Sequence, residues 1–117
     1  AIDAMRALSS SSTGRGLSAA IGPCIGPGAF EVGPEVAEEF WKCFGSRTAH
    51  VLPAVVPGKW LVDLKGAIKE QLQRAGVKEI DVIPGCTASD DADGGWFFSH
   101  RRDRGVTGRM VGVIGPR

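Results

Sequence analysis

The 117-residue chain has no tyrosine, two histidines (His50, His100) and three cysteines (Cys24, Cys43, Cys86). With histidine this scarce, and no HExxH or CxxC spacing, no local stretch supplies the three ligands and open position of a catalytic zinc. Three unpaired-looking cysteines argue against a disulfide scaffold and for reduced thiols in a cytosolic protein. No apolar run approaches the roughly 20 residues that a membrane helix needs. Charge of one sign is also missing. Fourteen basic against 13 acidic residues leave +1, so no global field draws the chain to nucleic acid or an anionic membrane. The first residue is Ala1, and no basic start with an apolar run follows it, so a secretory signal is not expected. Such a start reads as processed or as an excerpt from a longer protein.

What is present is an ordinary globular balance, 43% hydrophobic and 23% charged, at a length suited to one domain and not two. Seventeen Gly and seven Pro are the departure, and they call for many tight turns and close backbone approaches.

Ile2, Met5 and Leu8 recur at helical spacing, so residues 1–8 read as the tail of an amphipathic helix, followed by a polar linker at 9–16. Residues 17–21 read as a short buried strand that runs into the Gly- and Pro-rich loop 22–28. Pro34 then starts a helix whose early Glu35, Glu38 and Glu39 and late Lys42 suit its dipole. Val36, Phe40 and Phe44 form its apolar stripe, with Cys43 on the inner flank and Gly45 as a left-handed cap. Residues 50–56 read as a strand that Pro53 either confines to an edge or breaks. A second helix runs over 63–75, with Leu64, Ala67, Ile68, Leu72 and Ala75 on one face, a Glu70–Arg74 pair, and Gly76 at its end. Residues 78–83 read as a strand and 88–95 as an acidic turn. Residues 96–99 and 109–114 read as two more strands, separated by a basic loop. Alternating helices and strands with this final near-hairpin suggest a mixed sheet covered by helices, an α/β (mixed α+β) fold.

Three places offer chemistry. The loop GPCIGPG presents Cys24 after a strand, where free N–H groups would lower its pKa; alternatively its glycines meet unusual dihedrals and Cys24 fills a small apolar hole. The segment SHRRDRGVTGR, residues 99–109, gathers Arg101, Arg102, Arg104 and Arg109, whose planar forks suit phosphate or carboxylate. The alternative there is a solvated hairpin loop with Asp103 as internal partner. Cys86-Thr87 precedes Asp90, Asp91 and Asp93, which faintly resemble a hard-cation loop but lack the later Glu of an EF-hand. Cys86 itself reads as a small buried residue at a strand end. A metal site assembled from His50, His100 and one Cys is conceivable in geometry but unsupported by spacing.

Taken in order, AIGPCIGPGAFEVG at 20–33, the Asp63-Leu64 helix start, Gly85-Cys86-Thr87 and FFSHRRDRGVTGRMVGVI at 97–114 resemble the C-terminal half of the laccase-domain family. Members of that family are named polyphenol oxidase, purine nucleoside phosphorylase or peptidoglycan editing factor. The resemblance covers nearly the whole chain, which would then be, over 1–117, the C-terminal portion of a single laccase-like domain. It implies a four-layer sandwich of sheets flanked by helices. It also implies a zinc- or copper-centred pocket and phosphorolysis of adenosine or inosine to base and ribose 1-phosphate, in some members with adenosine deamination.

The family's metal ligands, two His and one Cys, sit in its N-terminal half in Ala-Asp-Cys and Gly-Trp-Arg-Gly contexts. Neither motif occurs here, so no metal ligand carries over to this chain. His100 also stands where the family often has Tyr. What carries over is the facing wall of the pocket: the loop 22–27 with Cys24, the Thr87 turn, and Ser99, Arg101, Arg102 and Arg109 as substrate- or phosphate-side candidates. The expected partners are a purine nucleoside, phosphate and the other half of the domain, or a second copy of the chain. Nucleic acid and membrane are not expected, and neither is activity from the chain alone. The competing readings are a multicopper polyphenol oxidase and a non-catalytic phosphate- or nucleotide-binding module.

Overall fold

The computed structural model describes residues 17–89 and 96–115. The expected helix at 1–8, the linker at 9–16 and the aspartates of the acidic turn lie outside them. Within them the order is β1 (Ser18–Ile21), β2 (Glu31–Val32), α1 (Pro34–Phe44), β3 (Val51–Pro53), β4 (Trp60–Val62), α2 (Leu64–Arg74) and β5 (Glu79–Val82). The mixed α+β class is observed, but among the described residues parallel and antiparallel pairing fall in two separate sheets and not in the one mixed sheet expected. β1 and β5 pair in parallel, Ser18 opposite Glu79 through Ile21 opposite Val82. β2, β4 and β3 form an antiparallel sheet in that order.

Each helix covers one sheet. Pro34 opens α1, Lys42 lies in its last turn, and its apolar stripe meets the antiparallel sheet. Ala37 is buried there with Val32, Val51 and Val62, and Phe40 and Trp41 pack against them. The Trp41 and Trp60 rings meet edge to face at 4.8 Å, an arrangement the ring quadrupoles favour. Asp63 caps α2, its carboxylate accepting from the Gly66 N–H at 3.0 Å, and Leu72 packs with Ile21 and Val77 over the parallel pair.

Four expectations on these elements need correction. Gly45 has positive φ (91°) but ψ of 155°, so α1 ends without the left-handed helical cap. Cys43 is exposed instead of packed, because the inward positions of α1 are Val36, Ala37, Phe40, Trp41 and Phe44 and residue 43 falls beside that stripe with Lys42. The strand expected over 50–56 stops at Pro53, where the chain turns back. Pro57 and Gly58 occupy the central positions of a turn closed by Lys59 N–H to the Val56 carbonyl at 3.1 Å, and Gly58 has φ of 77°, the signature of a type II turn. β4 follows from that turn, and β3 is left on the edge, the first of the two outcomes that Pro53 allowed.

The fourth concerns residues 96–99 and 109–114, which form no strand. Val111, Val113 and Ile114 are 86–92% exposed. Apolar alternation makes a ladder only where a partner strand supplies hydrogen bonds and a face to bury against, and no described strand does so here. No helix among the described residues is long and apolar enough to cross a membrane.

Candidate functional site

The parallel sheet continues past its last regular pair. Ile83 N–H donates to the Ile21 carbonyl at 2.9 Å, and one added residue on the β5 side brings Cys24 opposite Cys86 in an isolated parallel bridge. Thr87 N–H closes it on the Cys24 carbonyl at 3.0 Å. The Lys65 ammonium, from the first turn of α2, donates to the carbonyls of Ile83 (2.6 Å) and Gly85 (2.8 Å) and so clamps the segment that presents Cys86. The backbone of Gly26 donates to Cys86 Sγ at 3.0 Å. A Cβ on Gly26 would stand 3.2 Å from that sulfur, so the close approach depends on glycine.

These contacts invert the expectation for the cysteines. Burial pushes the Cys24 thiol above its ordinary pKa; Asp63 and Cys86 add to the rise and Lys65 opposes it. At Cys86 burial also raises the value. There, hydrogen bonds from the Ser89 hydroxyl and from the N–H groups of Gly26, Ala88 and Ser89 outweigh it, and the net shift is downward. The loop N–H groups expected to favour a thiolate at Cys24 thus serve Cys86 instead, which is half-buried and hydrogen-bonded, not packed away as a small residue at a strand end. Cys24 Sγ donates to the Ile25 carbonyl at 3.4 Å.

The third part is the turn after Phe98. Asp103 lies at its centre, accepting from Arg102 Nε (2.7 Å), the Thr107 hydroxyl (2.6 Å) and the Ser99 N–H (3.2 Å). The Arg102 hydrogen bond, then Thr107, hold its pKa down at about 2. Arg102 also donates to the carbonyls of Thr87 (3.3 Å) and Phe97 (2.9 Å), which ties this turn to the Cys86-Thr87 turn. The Asp103 partnership read from the sequence is therefore real. Thr87 and Ser99 are each 6% exposed, and they are the buried polar residues of the described chain. Their hydrogen bonds are what permit that burial.

The three loops enclose an open cavity of about 390 Å³. Pro23, Ile25, Phe98 and Met110 form its apolar lining, and Cys24, Thr87, Ser99, His100 and Arg101 its polar one. Phe98 and Met110 were not among the sequence candidates, and His100 was considered there only as a metal ligand. The alternation in FFSH could have marked Phe98, but nothing local marks Met110. Arg101 is exposed, donates to the Glu31 carbonyl at 3.0 Å and stands 5.8 Å above the Phe30 ring. Arg102 faces a second cavity on the other side of the turn. Arg109 is exposed and lies outside both linings.

The residues do not fit a metal. Among the described residues no group of three or more His, Cys, Asp or Glu is placed to hold one. His50 is engaged at Nε2 by Glu70 at 2.5 Å and packs edge-on to Phe44, while His100 belongs to the cavity wall. The imagined site from both histidines and a cysteine does not assemble.

Residues 1–117 match the family described as multi-copper polyphenol oxidoreductase laccase. A purine nucleoside phosphorylase, YlmD, of Geobacillus stearothermophilus is 41% identical over 100 residues, covering 84% of this chain and 35% of that protein. The purine nucleoside phosphorylase YfiH of Escherichia coli K12 is 38% identical over 94 residues, covering 80% of this chain and 36% of its own. The crystal structure of the Bacillus licheniformis hypothetical protein YfiH superposes with a TM-score of 0.64 at 30% identity, over 74% of this chain and 32% of that one. The chain spans about a third of the length of the curated relatives it matches. With a match over its full length, and with the ordered loops forming one cavity, the chain belongs to the multi-copper polyphenol oxidoreductase laccase family.

Proposed function

We propose that the chain forms one wall of the substrate pocket of a purine nucleoside phosphorylase. The pocket is completed by the part of the relatives' domain that this chain does not span. The reaction is inosine or adenosine plus phosphate to free base and ribose 1-phosphate. A phosphate oxygen bonds to the sugar's anomeric carbon as the glycosidic bond breaks. The electron pair leaves with the base nitrogen, which gains a proton.

One observation supports this reading above the others: loops far apart in sequence converge on a cavity with an apolar floor and an Arg at its rim. Apolar and ring-bearing walls at Ile25, Phe98 and Met110 suit a purine and its sugar, while hydroxyls at Thr87 and Ser99 and the Cys24 thiol lie within the same wall. Arg101 is pre-oriented by the Glu31 carbonyl and the Phe30 ring, and its remaining N–H groups form a fork suited to phosphate. Arg109 would be the second cation on that side. Arg102, tied to Asp103 and two carbonyls, would hold the wall in place. Zinc enters this reading only as an ion held by residues outside the described ones. The names of the relatives, phosphorylases at about 40% identity, favour this reaction over phenol oxidation.

The test is release of hypoxanthine from inosine and phosphate by a protein that carries this chain within a complete domain. Arg101→Ala should lower kcat/KM by roughly a hundredfold, with the larger share in the phosphate KM. Phenol oxidation without base release would overturn the proposal in favour of a laccase. Salt-sensitive phosphate binding with no turnover would overturn it in favour of a binding module. The chain alone should bind but not turn over, and inosine cleavage by it at the complete protein's rate would refute the division of labour.

A further inference from the structure

Cys86 and Cys24 are opposed across a backbone bridge, although 62 positions separate them in sequence. Paired residues on neighbouring strands lie about 4.7–4.9 Å apart with side chains on one face. That spacing falls inside the roughly 4.4–6.8 Å between Cα atoms of disulfide-bonded cysteines. Both residues are half-buried thiols, open enough for a small reagent, whereas Cys43 lies apart on α1 and is exposed. The missing side chain of Gly26 makes room for Cys86 Sγ, and its N–H points at that sulfur. The thiols are also unequal: the hydrogen-bond donors gathered around Cys86 favour its anion, and burial keeps Cys24 protonated.

We infer that Cys24 and Cys86 are a redox pair that a small peroxide closes into a reversible disulfide at the wall of the cavity. The Cys86 thiolate attacks one oxygen of hydrogen peroxide. The O–O bond breaks, the sulfur is oxidised to a sulfenic acid, and hydroxide leaves. The Cys24 thiol, losing its proton to that hydroxide, attacks the sulfenic sulfur. The S–S bond forms, the S–O bond breaks, and the departing hydroxide takes up a proton from solvent as water. Two electrons pass from the cysteines to the peroxide, and a dithiol reductant returns them. Closure removes the Cys24 thiol from the cavity lining and locks the loop 22–28 to the Cys86-Thr87 turn. The device depends on the two sulfurs and the bridge, not on which reaction the cavity serves.

The experiment uses the full chain with Cys43→Ser, treated with dilute hydrogen peroxide and alkylated before unfolding. Tryptic cleavage separates the cysteines into peptides 16–42 and 79–101, so a linked pair that has lost two hydrogens is diagnostic by mass. The expected result is that linked pair, with both thiols recovered after dithiothreitol. Cys24→Ser should leave a Cys86 sulfenic acid that dimedone traps. Cys86→Ser should slow peroxide oxidation of Cys24 by roughly tenfold. Circular dichroism of each variant verifies that the fold persists. A Cys86 sulfenic acid that accumulates beside a free Cys24, or a Cys24 that reacts first, would overturn the proposal.

Discussion

The Asp103 carboxylate accepts four hydrogen bonds within one turn, two of them from Arg102, and protonation weakens them by removing the charge that the guanidinium faces. Its pKa in the folded chain is about 2, against an ordinary 3.8. A depressed carboxylate stabilises the fold fully above its unfolded pKa, and that contribution disappears as pH falls through the folded value. Acid titration should therefore show Asp103→Asn less stable than the parent at pH above 4. The two should converge as the pH drops toward 2, followed by circular dichroism in denaturant. A constant difference across that range would mean that the carboxylate's charge is not what holds the turn. The sequence placed Asp103 among arginines and so made an internal partner legible. It could not show that Arg102 would be the partner while Arg101 went to the cavity rim. Adjacent residues of a turn point to different sides, and only the path of the backbone decides which side is which.

At the scale of elements, the helices were readable because their signals are local. Pro34 opens α1, Asp63 caps α2, and the apolar spacing of each matches the face it buries. The Asp63 cap carries further weight, because α2 also projects Lys65 onto the carbonyls of Ile83 and Gly85. Asp63→Ala should cost about 1 kcal/mol, seen as a lower denaturant midpoint at unchanged slope, while Asp63→Asn should retain most of it. Equal losses for the two substitutions would point away from the cap. The small strands were less legible. β2 has two residues, too few for any period, and β4 was missed although Pro57-Gly58 before Trp60 is a turn signal that announces a hairpin.

For the whole molecule, burial is thin at one end. Among the described residues the buried apolar side chains fall into two modest clusters, one under each helix. Meanwhile Val106, Val111, Val113 and Ile114 stand 86–92% exposed. Exposed apolar side chains in one segment tend to find a partner. The chain on its own should therefore self-associate with rising concentration in sedimentation velocity. Replacing Val111 and Val113 by Lys should shift it toward monomer without lowering its helix content. A parent chain that stays monomeric at every concentration would contradict this.

The sequence by itself determined the two helices, the exclusion of β3 from a central position, the loops that carry polar chemistry, and the family to which their order belongs. All of these rest on residues within a few positions of one another, or on motifs read in order. Tertiary structure alone decided the rest. Whether 109–114 becomes a strand depends on a partner for its backbone, since alternation supplies a face but not a ladder. Which cysteine gains the N–H donors depended on one extra residue between the last regular pair of β1 and β5 and the Cys24–Cys86 bridge. A hydrogen bond inside a helix is set by neighbours in the chain. One between segments some sixty residues apart is set by everything folded between them.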